Sequence, residues 1–271
     1  MYESIYNRSP LAVTDGIPVF SQHDEYIENY KRISDQHLES LQKNGTNPFM
    51  EEGMLVEFET STAKVVKEIS RPGEKILDVG VGLGRLLDYL PEYDRYGMDI
   101  SLGYLSIAKS KGIDVCYSSI EDMPYCKGSF DIAVCTDVLE HVLDLHSACE
   151  KVLSVLRKDG ILLVRVPHRE DLSHYLSPEY PFKFVHLRNF DENSLRLHFE
   201  RVFNCAFVMS KKIGISIERN YLKYILPIPK YATIVGGVVF RMKTMHLPTY
   251  KLLAKAFYDP CEIIMVFRKQ N

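Results

Sequence analysis

The chain has 271 residues, 46% of them hydrophobic, which suits one large α/β domain with a well-buried core. Its formal net charge of −3 and pI near 6.3 argue against a dedicated DNA-binding protein, because surfaces that bind nucleic-acid phosphates normally carry a marked basic excess. The six cysteines form no CxxC pair, so we expect reduced structural thiols. The N-terminus lacks the basic-then-apolar order of a signal peptide, which favours a cytoplasmic location.

Residues 1–70 are predicted to form a lid segment ahead of the main domain. Within it, HDEYIENYKRISDQHLESL (23–41) spaces tyrosines and charges as an amphipathic helix does. The main domain is predicted to span residues 71–271. From residue 75 onward, short β-branched runs alternate with segments of helical length, the pattern of parallel strands joined by helical crossovers. We predict strands at 75–80, 95–100, 113–119, 130–136, 161–167, 204–212 and 261–269, and helices at 84–92, 102–112 and 145–160.

A glycine-rich turn follows the first of these strands. A dinucleotide fingerprint needs glycines at its first, third and sixth positions, whereas Gly80, Gly82 and Gly84 stand at the first, third and fifth. Arg85 at the sixth position argues against a nicotinamide-dependent oxidoreductase. Asp78, at the strand end, suits a ligand that carries an ammonium group, and Asp99, at the end of the next strand, suits ribose hydroxyls. Asp99 fits either NAD or S-adenosylmethionine.

Four sequence stretches together separate these two cofactors. They are LDVGVGLGR (77–85), YGMDIS (96–101), SSIEDMPYCKGSFD (118–131) and CTDVLEHV (135–142). In this order they resemble the class I S-adenosylmethionine-dependent methyltransferases, in particular the type 11-like small-molecule branch. The resemblance implies S-adenosylmethionine as cofactor, S-adenosylhomocysteine as product, and a Rossmann-like fold. Ser119 stands where the family commonly has an acid that binds adenine, so contact from the Ile120 backbone is the safer expectation. The cofactor-binding residues that the resemblance implies are Asp78, Gly80, Gly82, Gly84, Asp99, Ile100, Ile120, Glu121, Cys135 and Thr136.

Histidines are the candidates for proton transfer. His141 follows the fourth strand, and Asp137 stands four residues earlier, so a helical turn there would place the carboxylate beside the imidazole. In some relatives the matching histidine takes part in catalysis, and in many others it only shapes the pocket. His168 and His186 are second-choice bases on the segment after the fifth strand, and Arg188 could hold an acidic or phosphorylated acceptor. An amine acceptor would need no base at all.

The lid is expected to contribute Tyr26 and Tyr30 to the acceptor pocket. No metal is expected, because the histidines at 168, 174 and 186 do not have the spacing of a helical metal pair and the cysteines do not cluster.

An insert at residues 211–255 carries nine Lys or Arg and one Glu, a local charge of about +8 that leaves about −11 for the rest of the chain. It is also apolar and aromatic, which suits peripheral contact with the inner membrane face or an amphiphilic, anionic acceptor. We favour the alternative, an acceptor-binding lid or dimer surface packed on the acidic body. Its prolines and embedded lysines exclude a spanning helix.

The sequence therefore predicts a doubly wound, Rossmann-like α/β sheet of seven strands. The last strand is antiparallel, with a helical lid before the domain and an insert before that strand. The predicted function is methyl transfer to oxygen or nitrogen of a small or medium acceptor, such as a sugar or secondary metabolite, phosphorylated or lipid-linked. The alternatives are an RNA methyltransferase, which the lack of an Asn-Pro-Pro-Tyr-type tetrapeptide disfavours, and a non-catalytic scaffold that binds the cofactor. The oligomeric state is left open.

Overall fold

A computed structural model of the chain describes residues 5–214 and 260–270, with isolated positions between 234 and 249. Nearly all of the basic insert predicted at 211–255 therefore lies outside the described residues. Among the described helices, none is both long and apolar enough to cross a membrane.

The described strands form one mixed sheet in the order β1-β2-β5-β4-β3-β6-β7-β9-β8. Between β2 and β7 in this order, adjacent strands pair in parallel, as the alternating sequence pattern predicts. At the two edges the pairing is antiparallel: β1 with β2, and β9 with both β7 and β8. The bounds are β1 Ala12–Thr14, β2 Ile17–Val19, β3 Lys75–Val79, β4 Asp94–Asp99, β5 Asp114–Tyr117, β6 Phe130–Thr136, β7 Leu156–Pro167, β8 Ala206–Ile213 and β9 Glu262–Arg268.

Helices cover both faces of this sheet. Their bounds are α1 Glu25–Asn44, α2 Glu52–Ile69, α3 Arg85–Asp88, α4 Leu102–Ser110, α5 Leu145–Val155 and α6 Glu192–Arg196, with a 3-10 turn at Leu172–Leu176 and a π-helical turn at Leu197–Val202. The start of α1 is fixed by Asp24, whose carboxylate accepts a hydrogen bond from the Ile27 amide, and its end by Gly45 in the left-handed conformation. The helix that the sequence predicts at 23–41 is thus present.

The predicted fold class is confirmed, but the predicted strand count of seven is too low. The described sheet has nine strands because β1 and β2 form a hairpin that joins its edge, where Val19 pairs with Tyr117 of β5. Asp15 and Gly16 make the turn with φ values of 51° and 71°, the conformation that an Asp-Gly pair favours in a two-residue hairpin. The first 70 residues thus add strands to the main sheet, and the domain boundary proposed there stays a prediction.

All three helices predicted in the main domain end earlier than expected, and α4 stops at Ser110 instead of residue 112. Helix α3 stops at Asp88 instead of residue 92, and α5 stops at Val155 instead of residue 160. After α5, Leu156 already pairs with Phe130 of β6, so β7 begins five residues before the apolar run that marks it in the sequence. Strand pairing here outweighs the helical propensity of a short basic segment.

The core lies on both faces of the central strands. Successive residues of β3 alternate between two buried clusters: Ile76 packs on the face that carries α2 and α4, and Leu77 on the face that carries α5. Because both faces are covered, the polar ends of the strands are the part of the sheet that is left to bind a ligand.

Candidate cofactor and acceptor site

A cavity of about 420 Å³ opens at the carboxyl ends of β3, β4 and β6. Helix α1 covers it with Tyr26, Tyr30 and His37, and α2 contributes Leu55 and Glu59. This is the edge at which open α/β sheets bind their ligands. The site therefore combines the strand ends of the main sheet with the helical segment that the sequence predicts to be a lid.

The glycine-rich turn after β3 lines the cavity floor. Gly80 has φ +81°, and a Cβ atom there would collide with Val138 Cγ2, so the turn can pass under the loop after β6 only with glycine. Gly82 has φ +50° and lines the cavity, and no described atom comes within 4 Å of a Cβ built on it. The backbone at Gly82 is thus bare toward the open space that a ligand would fill.

Asp99, at the end of β4, is held by two backbone amides. The Gly82 N–H donates to its Oδ2 and the Ser101 N–H to its Oδ1, each at 2.9 Å. Burial raises the pKa of Asp99 to about 6, although these amide hydrogen bonds oppose the shift. A fixed carboxylate with free lone pairs at this place suits a pair of ribose hydroxyls.

A buried ion-pair network lies beneath the other end of the cavity. Arg165 Nη2 lies 2.5 Å from Asp137 Oδ2 and 3.3 Å from Glu59 Oε1, and its Nη1 donates to Thr62 Oγ1 at 3.0 Å. Burial alone would lower the pKa of Arg165, but the carboxylates of Asp137 and Glu59 raise it above its ordinary value. Arg165 therefore stays charged inside the protein.

More carboxylate oxygens than cations face this end of the cavity. Among the described residues, one oxygen of each of Glu59, Asp78 and Asp137 is buried without a hydrogen-bond partner. Burial, and then the charge of Glu59, raises the pKa of Asp78 well above its ordinary value. These orphaned oxygens call for a cationic ligand, and the ammonium and sulfonium groups of S-adenosylmethionine fit that requirement.

The side of the cavity beneath α1, where the sequence predicts acceptor binding, is lined by Tyr26, Tyr30 and His141. The Tyr30 hydroxyl lies 2.9 Å from His141 Nδ1, while the Tyr26 hydroxyl donates to the His141 carbonyl at a long 3.5 Å. Burial, and then the neighbouring His186, lowers the pKa of His141 to about 3, with Asp137 and the Val185 carbonyl opposing the shift. His141 is therefore neutral at physiological pH.

The predicted pairing of Asp137 with His141 is wrong. Residues 137–141 form a turn instead of a helical segment, and Asp137 itself has φ 56°. This left-handed backbone sends the carboxylate to Arg165, and Tyr30 is the side-chain partner of the His141 ring instead.

Several other predicted residues lie outside the cavity lining. His168 is 1% exposed at the end of β7, His186 binds Glu170, and Arg188 donates to the carbonyls of Leu139, Val142 and Leu143. The Arg188 fork is therefore used to fix the loop after β6 and is not free to bind an acidic acceptor. Of the predicted cofactor residues, Gly84 packs against Ala108 and Ile113, and Cys135 is buried below the cavity floor. The other predicted cofactor residues line it: Asp78, Gly80, Gly82, Asp99, Ile100, Ile120, Glu121 and Thr136.

The cavity residues that were not predicted from the sequence include an ion pair, Glu59 and Arg165. A signal for Arg165 was present, because an arginine within the apolar run ILLVRVP must be paired if that run is a buried strand. Its partner Glu59 had no such signal, because charged residues on an amphipathic helix ordinarily face solvent.

The sheet order, the antiparallel last strand and the acid-lined cavity define a class I S-adenosylmethionine-dependent methyltransferase fold. Residues 77–164, about a third of the chain, match the methyltransferase domain family of type 11. A solved S-adenosylmethionine-dependent methyltransferase from Thermotoga maritima shares the fold, with a TM-score of 0.56 and 16% identity, covering 91% of this chain and 100% of that one.

A second solved structure is a phosphoethanolamine N-methyltransferase of Haemonchus contortus, bound to phosphomonomethylethanolamine and S-adenosylhomocysteine. It has a TM-score of 0.57 and 15% identity, covering 93% of this chain and 62% of that one. Among curated relatives, a ubiquinone biosynthesis O-methyltransferase of Glaesserella parasuis is 29% identical over 42% of this chain and 55% of its own length. An uncharacterised protein of Methanocaldococcus jannaschii is 30% identical over 63% of this chain and 65% of its own length. The chain thus spans about half to two thirds of the length of these curated relatives.

Proposed function

We propose that this chain binds S-adenosylmethionine in the cavity and transfers its methyl group to oxygen or nitrogen of a small or medium acceptor, releasing S-adenosylhomocysteine. The observation that carries the proposal is the juxtaposition of Asp99 with the bare backbone of Gly82 at one end and the orphaned carboxylate oxygens of Asp78 and Glu59 at the other. A ribose at Asp99 and an ammonium group at Asp78 would span the floor of the cavity.

The cofactor supplies an electrophilic methyl group, so the protein chiefly has to position the acceptor and exclude water. Helix α1 supports this task, since Tyr26 and Tyr30 close the cavity on the side of His141. The acidic wall below favours the positively charged cofactor over its uncharged thioether product, because the orphaned oxygens of Glu59 and Asp137 gain more from a cation.

The rings of Tyr26, Tyr30 and His141 in the cavity lining suit an acceptor with a flat apolar face, such as a sugar or an aromatic ring. The named relatives include O- and N-methyltransferases, which supports either acceptor atom. Because Arg188 is engaged with backbone carbonyls, a phosphorylated or lipid-linked acceptor would need cations from elsewhere in the chain, and the basic insert at 211–255 is the candidate.

His141 is poorly suited to be a general base. A base works best when its pKa lies near the working pH, and the pKa of His141 is about 3. We propose that His141, held by Tyr30, positions the acceptor, and that a neutral amine acceptor would need no further help. A hydroxyl acceptor would need another means of losing its proton.

The experiment that tests this function incubates the purified chain with methyl-labelled S-adenosylmethionine and a cell extract. Label is then counted in aqueous small-molecule, organic, nucleic-acid and protein fractions. Label in the aqueous or organic fraction supports the proposal, and label in nucleic acid would support the RNA methyltransferase alternative. Cofactor binding with no label in any fraction would support the non-catalytic scaffold.

A matched pair of variants links turnover to this cavity. Asp99→Asn removes the charge that is proposed to hold the ribose, whereas Asp114→Asn changes an exposed aspartate on the adjacent strand. The proposal requires a large loss of cofactor affinity in the first variant and little change in the second. Equal affinities would contradict it.

A further inference from the structure

Three potential metal ligands cluster beside the part of the cavity that Tyr26, Tyr30 and His141 line. Glu140 and His141 lie on the loop after β6, and His186 lies on the segment after β7. One ligand atom from each of the three residues lies within 4.8 Å of those from the other two. The histidines are 45 positions apart in the chain, so sequence spacing gives no sign of this arrangement.

The carboxylate of Glu140 is buried without a hydrogen-bond partner among the described residues. The residue is only 1% exposed, and both of its carboxylate oxygens are orphaned in this way. A buried carboxylate without a partner is strongly unfavourable, and proteins compensate such groups with hydrogen bonds, an opposite charge or a metal ion.

The Nδ1 nitrogen of each histidine already contacts another side chain. His186 Nδ1 lies 2.5 Å from Glu170 Oε2, and His141 Nδ1 lies 2.9 Å from the Tyr30 hydroxyl. A histidine that ligates a metal through one ring nitrogen typically engages a carboxylate or another oxygen through the other one, which fixes its tautomer and orientation. Glu170 and Tyr30 provide this support at Nδ1, so Nε2 is the nitrogen that each ring would offer to a metal ion. The His141 ring also hydrogen-bonds the Val185 backbone, a contact that a bound ion would replace.

The two loops that carry the ligands are fastened to each other. The Leu187 amide donates to the Glu140 carbonyl at 2.8 Å, and Arg188 donates to the carbonyls of Leu139 and Leu143 at 3.1 Å. The rings of His141 and His186 meet edge to face with centroids 4.5 Å apart. The ligand-bearing backbone is therefore organised before any ion binds, which lowers the cost of binding.

We propose that Glu140, His141 and His186 bind a divalent first-row metal ion, with Zn²⁺ as the best fit. Two histidines and one glutamate are a recurrent Zn²⁺ ligand set that leaves a fourth position open. Ligand atoms about 2.1 Å from a tetrahedral ion lie about 3.4 Å apart, so small side-chain rotations bring the three groups into range. This proposal replaces the sequence-based expectation that the chain binds no metal.

A bound ion would also solve the problem of a hydroxyl acceptor. An acceptor oxygen at the fourth position would have its O–H pKa lowered and release its proton to water. The oxygen would then form a bond to the methyl carbon as the carbon–sulfur bond of the cofactor breaks. This consequence rests on the proposed methyl transfer, whereas metal binding itself does not.

The test measures metal binding directly, without turnover. The full chain is stripped with a chelator and dialysed, and then titrated with Zn²⁺ alone by equilibrium dialysis and with Co²⁺ alone by visible absorption. The variants are Glu140→Gln and His186→Ala. The control is His23→Ala, because His23 is exposed and also lies beside a carboxylate, 2.8 Å from Glu28.

The proposal predicts that the wild type and His23→Ala each bind one equivalent of Zn²⁺. In Glu140→Gln and His186→Ala the Zn²⁺ affinity should be at least 100-fold lower, because losing even a residue that only supports a ligand typically costs about 10- to 100-fold. Zn²⁺ should raise the melting temperature of the wild type but not of Glu140→Gln. Cofactor binding checks that each variant is folded, and if His186→Ala does not fold, the isosteric Glu140→Gln decides the matter.

Zn²⁺ binding that is absent from the wild type, or unchanged in Glu140→Gln, would overturn the proposal. A further sign separates a metal ligand from a merely buried acid. Without metal, Glu140→Gln should melt no lower than the wild type, because the amide removes an uncompensated buried charge. A chain that binds Zn²⁺ through these residues but transfers no methyl group would refute only the proposed function.

Discussion

The guanidinium of Arg165 lies 2.5 Å from a carboxylate oxygen of Asp137, and this pair joins the ends of β6 and β7 beneath the cavity. Glu59 of α2 shares the same guanidinium nitrogen, so one buried cation also ties the N-terminal helices to the sheet. The network supports the cavity floor and leaves carboxylate oxygens free to face a cationic ligand.

Loss of Arg165 should therefore destabilise the whole domain. Arg165→Met leaves the buried carboxylate of Glu59 and the partly exposed carboxylate of Asp137 without their cation. Breaking a buried ion pair by removing one partner costs about 3–5 kcal/mol. Urea unfolding measures the change. Arg157→Met is the control, because Arg157 pairs with Asp131 but its side chain is 46% exposed, and we expect a loss within about 1 kcal/mol. Equal losses in the two variants would argue against the network.

Cofactor affinity should depend on pH through Asp99. With its pKa raised to about 6, Asp99 becomes protonated as the pH falls through that value, and a neutral carboxyl accepts ribose hydrogen bonds less well. Affinity for S-adenosylmethionine should fall accordingly, and calorimetric titrations on both sides of pH 6 would measure it. Asp99→Asn should bind weakly with no such step.

The same shift has the opposite effect on the stability of the ligand-free protein. Because the pKa of Asp99 is higher in the folded state than in the unfolded chain, its contribution to stability is fully present below the unfolded value and is lost as the pH rises through about 6. Asp99→Asn should remove this component from the pH dependence of urea unfolding. A wild-type dependence that the variant reproduces would assign the effect to other groups.

Gly82→Ala should reduce cofactor binding more than its effect on stability explains. An alanine at a left-handed position costs about 1–2 kcal/mol, and at Gly82 the added methyl group also enters the cavity. Gly45→Ala is a matched control, since Gly45 has φ +67° and a Cβ added there would have no described atom within 4 Å, but it ends α1 away from the cavity lining. Both variants should lose similar stability, and only Gly82→Ala should lose cofactor affinity.

The Tyr30 hydroxyl should matter for turnover more than that of Tyr26. Tyr30→Phe leaves His141 Nδ1 without its partner, a loss worth about 1–3 kcal/mol, and should lower kcat/KM for the acceptor by tenfold or more. Tyr26→Phe removes only a 3.5 Å contact to a carbonyl and should have a smaller effect. Cofactor affinity should stay the same in both variants. A larger loss of kcat/KM in Tyr26→Phe than in Tyr30→Phe would show that the Tyr30–His141 contact does not position the acceptor.

The sequence by itself determined the seven strands from β3 to β9, the glycine-rich turn and the acid at the end of β4. These features are local: alternation of apolar runs sets the strands, and a tight turn with positive φ values favours glycine at Gly80 and Gly82. The Asp-Gly pair at 15–16 also signals the extra hairpin, which we did not predict, since two-residue turns have strong residue preferences.

Only the tertiary structure decided which side chains share a partner. Asp137 pairs with Arg165 because the backbone after β6 takes a left-handed conformation. Arg188 donates its hydrogen bonds to backbone carbonyls of the same loop. Glu140 and His186 meet because two loops cross at one edge of the sheet. Such contacts join residues that are distant in the chain, and the position of a side chain along the sequence does not specify the direction from which its partner approaches.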